Sequence, residues 1–319
     1  MILCCGEALV DMVPYRTKDG IDAYRPIPGG SPYNSAIALG RLGAPVSFMG
    51  RISSDFFGSL LVERLRDNHV GTDLIVRSPQ HTTLAFVKIE DGKEPLYAFY
   101  CEGTADRSFS LEDLPPELPP DLHGILFGSI AMTMEPAAST IEHFVRQQSH
   151  RTDPEAPVIS LDPNVRPIMI QDHGTYVKRL EGWISHSTLV KLSEADLEYV
   201  YPTLSLEAGM DRVLSLGPVL VVTTLGSKGA LAMGRRRDGS RYSVRVPATP
   251  VDVVDTIGAG DTFHAALLAW MEHHGKLNRS ALDAISEGEL EQALLFANKA
   301  ASIVCTRQGA EPPTLAELA

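Results

Sequence analysis

A carboxylate directly follows a short glycine turn late in the chain, in the stretch Gly258-Ala259-Gly260-Asp261. Residues 263–271 are apolar on nearly every side, which predicts a buried helix that begins at this turn. The start of a helix favours a phosphate because its first N–H groups are unpaired and its dipole is positive there, and glycine lets the backbone come close. An adjacent carboxylate can take the proton of an attacking hydroxyl while the N–H groups stabilise the transferred phosphoryl group. The pattern favours phosphoryl transfer, although the same spacing also fits an Asp261 that only caps the helix.

Two other polar residues occupy positions at which ligands collect in an open α/β sheet. A buried first strand is predicted over residues 2–10, and Asp11 follows at its carboxyl end. Asn34 follows a second glycine turn, Gly29-Gly30, and is expected in the first turn of a small-residue helix through residues 35–43, with its amide free to hold hydroxyl groups. A structural role fits as well, with Asp11 as a turn residue and Asn34 as an ordinary helix-start residue.

Short apolar runs alternate with helix-like stretches, which is typical of a doubly wound, mostly parallel sheet. Strands are predicted over residues 46–50, 125–130, 158–161, 187–192 and 219–224. Helices are predicted over residues 55–68, 136–149, 172–184 and 288–306. The β-branched Val251, Val253 and Val254 predict a further strand, which would lead directly into the glycine turn at Gly258.

A hairpin is predicted where this alternation breaks. Residues 82–89 alternate like a half-buried strand, Asp91-Gly92 supplies the turn, and residues 96–100 return as an aromatic strand. We expect the hairpin to project from the main sheet as a lid, because a kinase must exclude water, the competing acceptor.

The sequence predicts one α/β domain over residues 1–319, with a lid built from about residues 12–28 and 80–108. Within this lid, residues 15–28 are polar and are expected to be irregular, apart from a hairpin turn at Lys18-Asp19-Gly20. The chain is long enough to bury a large core, since 44% of its residues are hydrophobic.

Polar residues at other strand ends have two interpretations each. Arg166 would clamp a phosphate or a substrate carboxylate, but a single arginine is more often part of a surface ion pair. Ser193 is interpreted first as the cap of the helix that holds Asp196, ahead of any nucleotide contact. The basic cluster Arg235-Arg236-Arg237 directly precedes Asp238-Gly239 and predicts a solvated hairpin turn.

The overall composition argues against several classes of function. The net charge of −12 leaves no basic surface for a nucleic-acid backbone or an anionic bilayer, so neither partner is expected. The first residues lack the basic and apolar regions of a secretion signal, and no stretch reaches the roughly 18 apolar residues of a membrane span. We therefore expect a cytoplasmic protein. Its four cysteines, Cys4, Cys5, Cys101 and Cys305, lack metal-ligand spacing and are expected to be buried thiols.

Two motifs make the chain similar to the ribokinase-type (PfkB) carbohydrate kinases over essentially its whole length. The first is Gly29-Gly30-Ser31-Pro32-Tyr33-Asn34-Ser35-Ala36, continued by Leu42-Gly43 and by Gly50-Arg51-Ile52-Ser53-Ser54-Asp55-Phe56-Phe57-Gly58. The second is Asp255-Thr256-Ile257-Gly258-Ala259-Gly260-Asp261-Thr262-Phe263. The resemblance implies a ribokinase-like three-layer α/β sandwich around a mostly parallel sheet, with a small β lid. It also implies transfer of the γ-phosphoryl group of ATP to a sugar hydroxyl with Mg²⁺.

The resemblance further implies roles for individual residues. Asp261 would be the base, and the anion hole would be formed by Gly258, Ala259 and Gly260. The positions that match sugar contacts are Asp11, Gly30, Asn34 and Arg166. The positions that match nucleotide contacts are Thr224, Gly226 and Asn298, together with Ser193 and Asp196 near the phosphates. Relatives hold a potassium ion, mostly through backbone carbonyls, in loops that correspond to Asp255, Ile257, Val304, Arg307 and Gly309.

One motif departs from the family pattern. Where much of the family has Asn-x-x-Glu, this chain has Ser193-Glu194-Ala195-Asp196, so the water network around Mg²⁺ and the nucleotide phosphates is expected to differ. The opening Gly6-Glu7-Ala8-Leu9-Val10-Asp11, the Ser31-Pro32 pair, the aromatic lid strand and Asp162-Pro163-Asn164-Val165-Arg166 are most similar to fructokinases. The resemblance therefore implies fructose as the sugar and fructose 6-phosphate as the product. An exposed lid edge is compatible with a homodimer through the lid, and solvation of that edge by charged side chains fits equally well.

Other functions stay open at this stage. Within the family, a kinase for 2-keto-3-deoxygluconate would need a cation facing Asp11, which Arg166 could supply, and a nucleoside kinase would need stacking aromatic residues there. A dehydrogenase is disfavoured because the third glycine of a dinucleotide fingerprint would fall at Phe263. A P-loop enzyme is excluded, since the chain has no Gly-x-x-x-x-Gly-Lys-Ser/Thr. A catalytically silent sugar-binding sensor would keep the scaffold, but the presence of Asp261 argues against it.

Overall fold

The computed structural model describes residues 1–88, 96–153, 156–236 and 238–318. In chain order the strands are β1 (Ile2–Cys5), β2 (Leu9–Arg16), β3 (Asp22–Gly29), β4 (Val46–Ser53), β5 (Ile75–Ser78), β6 (Leu84–Lys88), β7 (Leu96–Tyr100), β8 (Gly124–Gly128), β9 (Val158–Asp162), β10 (Leu189–Ser193), β11 (Leu220–Thr224), β12 (Ala230–Arg235) and β13 (Arg241–Val246). The helices are α1 (Ser31–Arg41), α2 (Phe56–Asp67), α3 (Ala137–Ser149), α4 (His173–Ser185), α5 (Glu194–Val200), α6 (Leu206–Ser215), α7 (Ala259–His273), α8 (Arg279–Asp283) and α9 (Glu287–Cys305). Across these described ranges, no helix has both the length and the apolar character needed to cross a membrane.

Nine of the described strands form one large sheet, in the order β13-β12-β11-β10-β9-β8-β1-β4-β5. The pairs from β11 to β5 are parallel, whereas β12 pairs antiparallel with β11 and β13 pairs antiparallel with β12. The central strands β8 and β9 are buried at every position, as expected for strands that are covered on both faces. Because parallel strands end at the same edge, the polar residues that follow them collect along one side of the molecule.

Helices cover both faces of this sheet, and each face has its own hydrophobic core. One core includes side chains of α1, α2, α7 and α9, among them Leu61 and Phe263. The other includes side chains of α3, α4, α5 and α6, among them Phe144 and Trp183. Burial contributes roughly 1.5–3 kcal/mol for each large apolar side chain, so the sheet is fixed firmly between the two helical layers. The predicted three-layer fold around a mostly parallel sheet is confirmed.

Four strands form a second sheet, in the order β3-β2-β6-β7. Strands β2 and β3 are an antiparallel hairpin, and β2 also pairs in parallel with β6. One face of this sheet packs Leu9 and Ala85 against Ile130, which follows the carboxyl end of β8. The second sheet therefore lies over the edge of the main sheet at which its parallel strands end.

The first predicted strand is wrong in its second half. The chain leaves the main sheet after β1, so Asp11 lies inside β2 of the second sheet and not at the carboxyl end of a strand in residues 2–10. The physical reason is Glu7, a buried carboxylate that needs hydrogen-bond donors and finds one in the N–H of Ser31. If the first strand continued straight through Glu7, the Glu7 carboxylate would not reach the N–H of Ser31.

The irregular conformation predicted for residues 15–28 is also wrong, because these residues complete β2 and form β3. Their polar side chains show no strand-like alternation of apolar residues. Pairing across the hairpin nevertheless supplies the backbone hydrogen bonds, whatever the side chains are. The turn at Lys18-Asp19-Gly20 is confirmed. The predicted strand end at Ile89, the turn Asp91-Gly92 and Arg237 lie outside the described residues, while β12 and β13 confirm the hairpin on either side of Asp238-Gly239.

The strand predicted just before the glycine turn is wrong as well. In the described stretch 247–258 no strand is present, and Val253 and Val254 are exposed. The N–H groups of Val254 and Asp255 donate to the carbonyl of Cys305, at 2.8 and 3.2 Å, so the end of α9 holds this segment. β-Branched residues form a strand only where a partner edge is available, and here the neighbouring backbone belongs to a helix.

Candidate active site

The glycine turn starts helix α7. Gly258 is the N-cap residue, with a φ of 76° that favours glycine, and a Cβ at this position would lie 2.6 Å from the Cβ of Ala310. No described side chain caps this helix end, and Asp261 lies in the first turn of α7, so the structure rules out the interpretation of Asp261 as a cap. The N–H of Ala259 donates to the carbonyl of Thr256 at 3.2 Å and is therefore directed into the turn.

Asp261 is held in place by the first turn of α1. Its side chain is part of a residue that is only 9% exposed, and both carboxylate oxygens accept a hydrogen bond. Ser31 Oγ donates to Oδ1 at 2.6 Å, and Asn34 Nδ2 donates to Oδ2 at 2.9 Å. Burial raises the pKa of Asp261, while the hydrogen bonds from Ser31 and Asn34 lower it. The result is an oriented carboxylate with an increased affinity for a proton.

The start of α1 is in turn fixed by Glu7. The buried carboxylate accepts the N–H of Ser31 at 3.0 Å and the N–H of Ala131 at 3.1 Å. The N-cap residue Gly30 has no side chain to cap the helix, and a Cβ there would lie 2.7 Å from the Glu7 carbonyl oxygen. Burial raises the pKa of Glu7 to about 7. Sequence reasoning missed Glu7 and Ser31, although a carboxylate inside the apolar run 2–10 was an available signal.

Asp11 faces the same space from the second sheet. Burial raises the pKa of Asp11 to about 7, with Arg166 lowering it and Asp261 raising it further. Since the charges of Arg166 and Asp261 both act on the pKa of Asp11, the three side chains lie around one space. A Cβ on Gly29 would collide with the Asp11 carboxylate, which accounts for glycine there. Arg166 is exposed, and its Nη1 donates to Asn164 Oδ1 at 2.8 Å, so its own loop orients it.

Tyr97 is a further polar side chain near Asp11, and sequence reasoning did not identify it as a site residue. The strand register places Tyr97 and Asp11 on the same face of the second sheet. Burial raises the pKa of the Tyr97 phenol; Asp11 and Asp255 raise it as well, and Arg166 lowers it. Tyr97 therefore presents a protonated hydroxyl in the neighbourhood of Asp11.

A buried ion pair lies at the ends of β9 and β10. Lys191 Nζ donates to Asp162 Oδ2 at 2.8 Å, and the two side chains are 4% and 3% exposed. Burial lowers the pKa of Lys191, but the charges of Asp162, Asp196 and Asp261 outweigh it and hold that pKa above its usual value. Sequence reasoning also missed this pair, and the available signal was a lysine within the apolar run 187–192.

The residues predicted to hold the nucleotide lie in two places. Ser193 and Thr224 are opposite each other at the carboxyl ends of β10 and β11, and Gly226 begins the turn that follows. Asn298 lies in α9, where its Nδ2 donates to the carbonyl of Pro247 at 2.9 Å. The structure thus brings Ser193 and Thr224 together, and it anchors Asn298 beside the segment after β13.

Ser193 and Asp196 form a reciprocal cap on α5. Ser193 Oγ accepts the N–H of Asp196 at 3.0 Å, and Asp196 Oδ2 accepts the N–H of Ser193 at 2.7 Å. The other oxygen, Oδ1, accepts the N–H of Val165 at 2.8 Å. The cap interpretation is confirmed, and it shows that both oxygens of Asp196 are bonded to the protein.

The loops predicted to hold a potassium ion are adjacent. Asp255 joins them, because its Oδ1 accepts the N–H of Ile257 at 3.0 Å and its Oδ2 accepts the N–H of Gly309 at 2.9 Å. The carbonyl of Val304 accepts the N–H of Arg307 at 3.0 Å. In the parts of the chain that the structure describes, no three or more His, Cys, Asp or Glu side chains are grouped so as to hold a metal ion.

The chain is similar to known kinases over nearly its whole length. The sequence model for the pfkB family of carbohydrate kinases matches residues 1–317. The fructokinase of Rhizobium leguminosarum bv. trifolii is 38% identical over 290 residues, which are 91% of this chain and 85% of the relative.

Two solved structures extend this similarity to the fold. The fructokinase of Xylella fastidiosa with bound ATP superposes with a TM-score of 0.86 at 29% identity, over 99% of this chain and 96% of that chain. The fructokinase of Vibrio cholerae O395 with fructose, ADP and a calcium ion superposes with a TM-score of 0.80 at 27% identity, over 97% and 94% of the two chains.

Proposed function

Because the chain belongs to the pfkB family of carbohydrate kinases, we propose that it transfers the γ-phosphoryl group of ATP to fructose and forms fructose 6-phosphate. The observation that carries this proposal is Asp261, a buried carboxylate that Ser31 and Asn34 hold at the start of α7. The similarity to the Rhizobium fructokinase, and to the Vibrio fructokinase solved with fructose and ADP, supports fructose as the acceptor.

Asp261 is the proposed base. Each of its oxygens accepts one hydrogen bond from α1 and keeps lone-pair capacity for the hydroxyl that attacks. The proton of that hydroxyl passes to Asp261 as the new O–P bond forms, and the bond to the leaving ADP oxygen breaks. The turn Gly258-Ala259-Gly260 is the proposed anion hole, because the positive end of the α7 dipole faces the phosphoryl group there.

Asp11, Gly30, Asn34 and Arg166 are proposed to hold the sugar. The Asp11 carboxylate would accept hydrogen bonds from sugar hydroxyls, and Asn34 is fixed near the base by its own hydrogen bond to Asp261. Gly30 has no side chain, so its backbone can lie close to the carbonyl oxygen of Glu7, which a Cβ would approach to 2.7 Å. Arg166 adds a cation close enough to affect Asp11, and this observation favours a second candidate, a kinase for 2-keto-3-deoxygluconate, whose carboxylate would pair with it.

ATP is proposed to bind along Thr224, Gly226 and Asn298, with Ser193 and Asp196 near its phosphates. Mg²⁺ usually binds through substrate phosphates, water and one or two carboxylates, and it neutralises phosphate charge during transfer. The donor set fits a metal that arrives on ATP, since the described residues form no protein cage of their own.

A potassium ion is proposed between the loops of Asp255, Ile257, Val304, Arg307 and Gly309. The support is the Asp255 carboxylate, which already ties the two loops together. Such an ion would add carbonyl contacts to this junction next to the glycine turn.

The second sheet is proposed as a lid on a single domain, built from about residues 12–28 and 80–108 of the chain. Its outer strands β3 and β7 carry the exposed Tyr24 and Tyr100, and an exposed aromatic edge is a surface on which a second copy can pair. A homodimer through this lid and a cytoplasmic location stay predictions.

A coupled assay of ADP release over a panel of sugars tests the function. We expect the highest kcat/KM with fructose, and much lower values with 2-keto-3-deoxygluconate, ribose and nucleosides. A higher kcat/KM with 2-keto-3-deoxygluconate would replace fructose by the acid. Fructose binding in a calorimeter without ADP release from any acceptor would overturn the kinase proposal in favour of a sugar-binding sensor.

A further inference from the structure

The ammonium of Lys191 is a buried cation next to the glycine turn. Lys191 projects from β10, and its ammonium donates to the carboxylate of Asp162, which ends the neighbouring strand β9. A buried ammonium is costly unless it is paired, so this contact fixes where the charge sits. The proposed mechanism uses neither residue.

The ammonium lies beside Gly260 of the proposed anion hole, on the side to which a Cβ would project. A Cβ built on Gly260 would lie 3.0 Å from Lys191 Nζ. The charge is therefore placed one residue before Asp261 and on the buried side of the turn. Because Lys191 is buried, its unit charge acts much more strongly at this range than it would at the surface.

The imidazole of His264 lies near the same oxygen of Asp162 that accepts from Lys191, and it adds no charge there. His264 Nδ1 lies 3.9 Å from Asp162 Oδ2, and His264 Nε2 lies 2.6 Å from Ser160 Oγ. Burial and the charge of Lys191 lower the pKa of His264 to about 3, so its imidazole is neutral. With the proton on Nδ1, the ring directs an N–H toward Asp162 and accepts a hydrogen bond from Ser160. The other carboxylate oxygen of Asp162, Oδ1, accepts the N–H of Asn164 at 3.1 Å, so Asp162 is held by the ammonium and by its own loop.

The charges that face Asp261 come from several elements. Asp162 faces it from β9, Asp11 from β2 and Lys191 from β10, while Ser31 and Asn34 of α1 are uncharged donors. Lys191 is also faced by Asp196 of α5, and Asp11 by Arg166. Burial is the main cause that raises the pKa of Asp261; Asp162 raises it further, and Lys191 lowers it.

We propose that Lys191 is a positioning residue for phosphoryl transfer: held by Asp162 beside Gly260, its ammonium is the counter-charge of Asp261 and makes the anion hole more positive. This inference rests on the proposed kinase function. It assigns Asp162 the role of holding the ammonium in place.

Opposite shifts of the pH profile test the proposal. The base must be ionised, so the rate falls as the pH drops below the pKa of Asp261. Lys191→Met removes the charge that lowers this pKa, and we expect the acid limb of kcat, measured at saturating sugar so that Asp11 does not contribute through KM, to move up by about one pH unit, with kcat about 10²-fold lower. Asp162→Asn removes a charge that raises the same pKa, while the amide oxygen can still accept the hydrogen bond from Lys191 Nζ and keep the ammonium in place, so its acid limb moves down. The double variant returns the acid limb toward that of the wild type.

Several measurements keep this test decisive. Thermal unfolding and circular dichroism check that each variant is folded, and Lys178→Met, an exposed lysine in α4, is the matched control with an unchanged profile. A carboxyl-carbon NMR titration of Asp261 in the unliganded protein reports the same shifts without any turnover. Unshifted or same-direction titrations in folded variants would show that the pair is only structural, whereas absent ADP release in the wild type would count against the kinase function alone.

Discussion

The site has a floor and a cover that are built differently. The floor is formed by the starts of α1 and α7, where Asp261 is buried and receives two side-chain hydrogen bonds. The cover is the second sheet, which contributes Asp11 and Tyr97 from strands whose opposite face is partly exposed. A fixed floor suits a chemical step that depends on geometry, and a more exposed sheet suits recognition and closure.

This difference leads to a simple division of effects. Changes in the floor should lower kcat, because they displace or remove the groups that act on the reacting atoms. Changes in the cover should raise KM for the sugar, because they remove uniform binding and leave the reacting groups in place. The following variants test the division, from the largest expected effect to the smallest.

Asp261→Asn should have the largest effect. The amide keeps the volume of the side chain but cannot take a proton, so we expect kcat to fall by about 10²- to 10⁴-fold. ATP binding, measured by calorimetry, should persist. Asp67→Asn, at the exposed end of α2, is the matched control. Near-normal turnover of Asp261→Asn would show that another group is the base.

Ser31→Ala should have the next largest effect on the floor. It removes the 2.6 Å hydrogen bond to Asp261 Oδ1, so that the proposed base keeps the hydrogen bond from Asn34 and is oriented less firmly. A hydrogen bond to a charged group is worth about 1.5–3 kcal/mol, which corresponds to a decrease of about 10- to 100-fold in kcat. Ser215→Ala, exposed at the end of α6, should behave as the wild type. A change in KM for the sugar with unaltered kcat would contradict the division.

The floor was largely predictable from the sequence, and the cover was not. The floor depends on two contiguous motifs, residues 29–36 and 255–263, whose glycines and polar residues act on their immediate neighbours. The cover depends on the pairing of Val10 with Leu84, two residues far apart in the chain, and no local pattern encodes such pairing. Asp11 was therefore predicted to be a site residue but was assigned to the wrong strand.

Long-range contacts also explain what was missed within the floor. Ser31 stood inside a motif, but its bond to Asp261 depends on how α1 packs against α7. Glu7 and Lys191 each interrupt an apolar run, and their partners Ala131 and Asp162 come from other segments of the chain. A buried charge in a strand signals that a partner exists, but it does not say which residue the partner is.

Asp11→Asn tests the cover. The pKa of Asp11 is raised to about 7 by burial, and a protonated carboxyl accepts fewer hydrogen bonds than an ionised one. KM for the sugar should therefore decrease in the wild type as the pH rises from about 6 to about 8. In Asp11→Asn, KM should be about 10-fold higher at the upper pH and nearly independent of pH, with kcat little changed. Asp22→Asn, exposed in β3 of the same sheet, is the control. A loss confined to kcat would place Asp11 with the floor.

Tyr97→Phe should have the smallest effect and the sharpest control. It removes one neutral hydroxyl near Asp11, worth about 0.5–1.5 kcal/mol, so KM for the sugar should rise about 2- to 10-fold. Tyr100 lies on the opposite face of the same strand and is exposed, so Tyr100→Phe should leave KM unchanged. Steady-state kinetics of the two variants over a fructose series decide the point. Equal effects from both would mean that the strand as a whole was disturbed, and the cover would then owe its role to closure and not to this hydroxyl.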